Sequence, residues 1–171
     1  KNFNGKDLND IFDLHNSGVK AFTNSYSFKE SSEMIMNSLL YLNQIDTLLI
    51  TKPKDRSFSD GVVNNGYYSN TVGLKGIPRI SESIAVERDL SILEYVGGKI
   101  HFSGISTKES VSIIRNAKTK KLNVTCDVPI HNLILDDSNV VSFDPNYKVY
   151  RTLRTKDYID ALIDGVNDGT I

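Results

Sequence analysis

The chain has 171 residues, 39% of them hydrophobic, which suits one ordinary domain with a real core. Its 20 basic residues balance 21 acidic ones at a formal net charge of −1, so there is no general electrostatic reason to bind nucleic acid or an anionic membrane. The single cysteine, Cys126, excludes an intrachain disulfide and fits a reducing, cytoplasmic setting, and no apolar run approaches the roughly 20 residues that span a bilayer.

In chain order, KDLNDIFDLHN from Lys6 carries Leu8, Ile11, Phe12 and Leu14 at near-helical spacing, with Gly18 as its stop. VKAFTN (19–24) reads as a short strand. SFKE (27–30) has the form of a capping box, Ser27 accepting and Glu30 reaching back, ahead of a helix through Met34, Ile35, Leu39, Leu40 and Leu42. DTLLITKP (46–53) is a buried-strand run halted by Pro53. Residues 54–78 break the rhythm: four glycines and many small polar residues make a stretch too long for a simple connection, the mark of a lid or insertion.

Helix resumes from about Arg79 to Tyr95, with Ile80, Ile84, Leu90 and Leu93 as its apolar face. KIHFSGI (99–105) is the next strand, and STKE (106–109) a second capping box opening a helix through Val111, Ile113, Ile114 and Ala117. NVTCDVPI (123–130) is another strand, and RTKDYIDALIDGVNDGT a last helix with Thr155 as N-cap. The alternation predicts an α/β fold with about four parallel strands, right-handed crossovers and flanking helices, all in a single domain over residues 1–171.

In such a layer the informative positions follow each strand: Asn24 and Ser25, Thr51 and Lys52, Gly104 and Ser106, Ile130 and His131, with Asp55, Asp60, Asn64 and Asn65 from the long loop. A metal hydrolase needs about three to five His or carboxylate ligands there. The chain has three histidines, of which His15 reads as a surface residue and His101 as a packed one early in its strand; His131 alone sits at the right end. Cys126 is mid-strand, where a buried thiol is inert. Ser106 and Thr107 are accounted for by capping. GLKGIP (73–78) lacks the spacing of a phosphate loop, so its glycines read as turn residues. Lys118, Lys120 and Lys121 suit a helix C-terminus.

Three stretches together resemble dihydroorotases of the amidohydrolase superfamily: NNGYYSNTVGLKGIPRISESIAVERDLSILEY, KIHFSGISTKESVSIIRNAKTKKLNVTCDV and NYKVYRTLRTKDYIDALIDGVNDGTI. The similarity is collinear over almost the whole chain. It implies a partial (β/α)8 TIM-type barrel from a zinc-dependent family that interconverts carbamoyl aspartate and dihydroorotate in pyrimidine synthesis. It also implies the central part of that barrel. The family's His-x-His pair and following Arg have no counterpart after Lys1, and its Asp-His motif would come after Ile171.

Carried over position by position, the resemblance puts the family's bridging carboxylate at Asn24 and Ser25, one metal-binding His at Thr51 and the next at Gly104. The substrate-contacting Asn falls on Tyr150, and the two prolines after it on Arg151 and Thr152. Threonine is a weak neutral ligand, glycine offers no side chain, and asparagine lacks the bridging charge. Those replacements would abolish zinc binding and with it the hydroxide nucleophile. The expectation is therefore a catalytically inactive homologue with no cofactor of its own, its pocket candidates Asp55, Asn64, His131 and Tyr150. The resemblance further implies a structural role, with aspartate carbamoyltransferase as partner, and the open sheet edges imply self-association as another route to stability. Two alternatives stand beside it: an active zinc-dependent cyclic amidohydrolase completed by other segments, using His131 and Asp55, and a small-molecule binding module.

Overall fold

The computed structural model describes residues 8–23, 31–58 and 60–171. Its elements, in order, are α1 (Ile11–Asn16), β1 (Ala21–Thr23), α2 (Ser32–Gln44), β2 (Leu48–Thr51), β3 (Val63–Asn64), α3 (Tyr67–Val72), β4 (Gly76–Ile77), α4 (Ile80–Val96), β5 (Lys99–Phe102), α5 (Lys108–Thr119), β6 (Val124–Cys126) and α6 (Lys156–Asn167). The main sheet is β1-β2-β5-β6, every pair parallel. Within this sheet the strands lie side by side in chain order, so the winding never reverses. A sheet wound one way carries its helices on one face and leaves the other as the inner wall of a barrel. The fold is the α/β partial barrel that the strand and helix alternation implied.

The register shows both faces. Phe22, Leu49, Ile100 and Val124 form one row across the sheet, the last three buried in the main core. The next row is Thr23, Ile50, His101 and Thr125, and none of these is buried. The core packs Ile35, Leu39 and Leu42 of α2, Val86, Leu90 and Leu93 of α4, and Val111 and Ile114 of α5 against the first row. These positions recur at the three- and four-residue spacing of one helix stripe. Among the described residues no helix is long and apolar enough to cross a membrane.

Several local expectations need correction. The SFKE box lies outside the described residues, as does all of residues 24–30; α2 is instead capped by Ser31, whose Oγ accepts from the Met34 N–H at 3.1 Å. The long loop contains structure of its own, a parallel pair β3–β4 joined by α3. Two-residue strands are too short for any hydrophobic period to register. Gly76 is no turn residue: a Cβ there would lie 2.5 Å from the Asn65 Cα, so only glycine lets the two segments meet. On α4, Ile80 and Ile84 are 41% and 39% exposed, while Ser81, Glu82 and Asp89 are buried beside Leu90 and Leu93.

Cys126 is buried, donates to the Thr170 carbonyl, and has its thiol pushed up to about 11, chiefly by burial. Iodoacetamide at mildly alkaline pH is expected to leave the native protein unlabelled here and to modify Cys126 fully in denaturant, as read by mass spectrometry. Rapid native labelling would contradict this packing.

Candidate functional site

The site is built at the C-terminal ends of β2, β5 and β6, where parallel barrels place their chemistry. After β2 the chain runs Lys52-Pro53-Lys54; after β5 it runs Ser103-Gly104; β6 is followed by Asp127. The Ser103 N–H donates to the Thr51 carbonyl at 2.8 Å, which ties the ends of β2 and β5 together. Thr51 is fully buried in the same row as Phe102 and Cys126, and its Oγ1 has no hydrogen-bond partner.

Gly104 has φ +79°, a backbone conformation that favours glycine. Its N–H donates to Asp127 Oδ1 at 2.6 Å. Asp127 Oδ2 meets His101 Nε2 at 3.0 Å, and His101 Nδ1 meets Thr125 Oγ1 at 2.8 Å. Burial opposes ionisation of Asp127, yet the bonds from His101 and Gly104 hold its carboxyl below the usual range. His101 is the packed, hydrogen-bonded residue expected of it. It is, however, third of four in a strand that ends at Phe102, so it lies nearer the site than an early position would.

The space beside Gly104 is filled from a distant part of the chain. Arg151, 5% exposed, donates from Nη1 to the Pro53 carbonyl at 2.7 Å and from Nη2 to the Ser103 carbonyl at 2.9 Å. Its guanidinium thus bridges the mouths of β2 and β5. A Cβ at position 104 would lie 2.9 Å from Arg151 Nε and 3.2 Å from its Cγ.

Behind Arg151 lies a buried acid that sequence reasoning missed. Glu82, 2% exposed, accepts from the Ser106 and Thr107 N–H groups and from both their hydroxyls, at 2.6–3.1 Å. It does the work assigned to the STKE box: Thr107 is the N-cap of α5, and Glu109 faces Arg79 and Tyr158 instead. A buried carboxylate is a stronger acceptor for helix-end N–H groups than a solvated one. Burial pushes the Glu82 pKa up, but the charges of Arg151 and Arg154 and the Ser106 bonds hold it below the ordinary value. The only advance signal was its place at helical spacing from Val86, Leu90 and Leu93.

An open pocket with about 260 Å³ of empty space is lined by Lys54, Glu82, Tyr150, Arg151, Thr152 and Arg154, among others. Of the four pocket candidates, Tyr150 lines it. Asn64 is buried as a bridge, donating to Asp137 at 2.7 Å and accepting from Arg154 at 2.7 Å. Asp55 caps the turn 56–58 through the Ser57 N–H. His131 lies in the turn Ile130–Leu133, its Nε2 buried without a partner. Asn24 and Ser25 lie outside the described residues.

The described residues at this mouth do not fit a zinc ion. Such a site needs about three or four His, Cys or carboxylate ligands converging. Among the described residues no group of three or more His, Cys, Asp and Glu could hold a metal ion. A hydroxyl stands at 51, no side chain at 104, and a guanidinium lies where a ligand from 104 would reach.

By fold, this is part of an amidohydrolase-type barrel. The structure superposes on D-hydantoinase with a TM-score of 0.77 at 18% identity, covering 96% of this chain and 40% of that one. It matches L-hydantoinase (dihydropyrimidinase) from Arthrobacter aurescens equally well, at 0.77 and 16% identity, over 95% and 38% of the two chains. A family model described as dihydro-orotase-like matches residues 2–110. Dihydroorotase from Thermoanaerobacter sp. (strain X514) is 38% identical over 172 aligned residues, all of this chain and 40% of its own length. That of Acetivibrio thermocellus is 38% identical over 98% of this chain and 39% of its own. The chain belongs to the dihydroorotase-like family and spans about two fifths of the length of these relatives.

Proposed function

We propose that this chain is part of a dihydroorotase-like protein of pyrimidine biosynthesis that has lost the metal-dependent reaction and serves as a structural or partner-binding element. The observation that carries this reading is Arg151 packed against Gly104. The position that the resemblance equates with a metal-binding His has no side chain, and a fixed cation stands beside it. A second cation would be repelled where the first is already held. Thr51, at the other equated position, adds only a buried neutral hydroxyl.

The scaffold around the erased position is intact, with α5 capped, β2 and β5 tied and the core closed, which supports selection for structure. A cytoplasmic setting and aspartate carbamoyltransferase as partner follow from the family reading. Self-association is the alternative, through the sheet's edge strands β1 and β6. A second reading, an active zinc-dependent enzyme completed by other segments, is favoured by the buried, unpartnered His131 Nε2, a donor set for one ligand.

Turnover separates the two. The intact protein, purified and supplied with Zn²⁺, is expected to show no dihydroorotate hydrolysis above background, beside an active dihydroorotase as control. Turnover abolished by a chelator would establish the second reading and overturn the first.

A further inference from the structure

We infer that the pocket at this mouth is a metal-free binding site for a small dianion bearing carboxylate or phosphoryl oxygens. The inference deepens the proposed function, because it takes Arg151 rather than a metal to be the resident cation. Three cations, Lys54, Arg151 and Arg154, line the pocket with one acid, Glu82, an excess of two positive charges. Among the described residues no carboxylate lies within ion-pair distance of any of the three. Glu82 faces Arg151 and Arg154, but a single carboxylate offsets only one of the three charges.

Two of these cations, Lys54 and Arg151, share one ring with Lys52. Lys52 Nζ, Lys54 Nζ and the Arg151 guanidinium lie 5.9, 5.8 and 5.2 Å from the centre of Tyr150. Cation–π contact returns only part of the hydration that such groups give up. Two polar groups on the pocket wall are also unmatched: Arg151 Nε and Thr152 Oγ1 are buried without hydrogen-bond partners, in residues 5% and 6% exposed. A buried donor left unpaired costs stability unless a ligand or water satisfies it. Consistent with the geometry, Lys54 is pulled below its ordinary pKa by burial and then by Arg151, Arg56 and Arg154. The enclosed part of this space is little more than water-sized and the rest opens to solvent, so an anion would seat at the mouth with its oxygens turned inward, and a nucleotide-sized ligand is excluded.

The test is titration of the intact protein with inorganic phosphate and, separately, malonate, at ionic strength matched with NaCl. Melting temperature and calorimetry are the readouts, and zinc content is measured on the same sample. Expected are a saturable rise in melting temperature with at least one probe, and about tenfold weaker binding in Lys54→Gln, the loss of one charge-assisted contact. Lys120→Gln, on the exposed surface, is expected to bind as the unmodified protein does. Phosphate alone binding marks a tetrahedral ligand, malonate alone a dicarboxylate, and either supports the inference. A response no larger than that to NaCl, or unchanged affinity in Lys54→Gln, overturns it. Stoichiometric zinc would instead sink the proposed function, so the two failures are told apart.

Discussion

Glu82→Gln is expected to lower stability by about 3–5 kcal/mol at neutral pH, the usual cost of removing one partner from a buried charge network. The amide keeps the shape but loses the charge that Arg151 and Arg154 face and one of the two acceptors that serve Ser106 and Thr107. The N-terminus of α5 would keep Thr107 as its N-cap and lose part of the acceptor set that holds Ser106 and Thr107 in place. Urea denaturation checks the loss, with the exposed Glu94→Gln as a control expected to stay within about 0.5 kcal/mol. The pH dependence follows from the direction of the shift. The folded pKa of Glu82 lies below its ordinary 4.5, so its contribution is fully present above that value and is lost as pH falls through the folded pKa. The Gln variant should lack this acid limb. Equal acid sensitivity in both proteins would contradict the role given to Glu82.

Gly104→Ala is expected to cost about 2–3 kcal/mol, from a positive φ that L-residues resist and from contact with Arg151. The two causes are separable. In the double variant with Arg151→Ala the steric part disappears and the strain at φ +79° remains, so a coupling of about 1 kcal/mol is expected. Strict additivity would mean that Arg151 does not occupy this space in solution. Gly104→His, which restores the residue type the resemblance assigns there, is expected to gain no zinc on metal analysis after dialysis. The ring would enter a site already held by a cation.

The positions of Thr51 and Gly104 at the strand mouths were legible in the sequence, because strand ends follow from apolar runs and the helix caps after them. The filling of that mouth was not. Arg151 reaches the Pro53 carbonyl across 98 residues, and Arg154 reaches Asn64 across 90. Position 151 stood out only as a departure from a pair of prolines. Asn64, read as a pocket residue, is the middle of a buried bridge because Asp137 and Arg154 approach it from both sides. On α4 the apolar period pointed to Ile80 and Ile84. The buried side turned out to include Ser81 and Glu82, since the helix packs its first turn over the polar start of α5.

By itself the sequence determined the β/α alternation, the core stripes of α2 and α5, the inert Cys126 and membership of the family, all of which depend on residue type at short, regular spacing. Only the tertiary structure decided which charges are buried and what they meet. Glu82 caps α5 from 24 residues away, and Arg151 closes the space beside Gly104 from 48 residues beyond Ser103. A buried charge is stable only where its partners converge, and that convergence is set by how the helices and strands pack, not by the periodicity of any one of them.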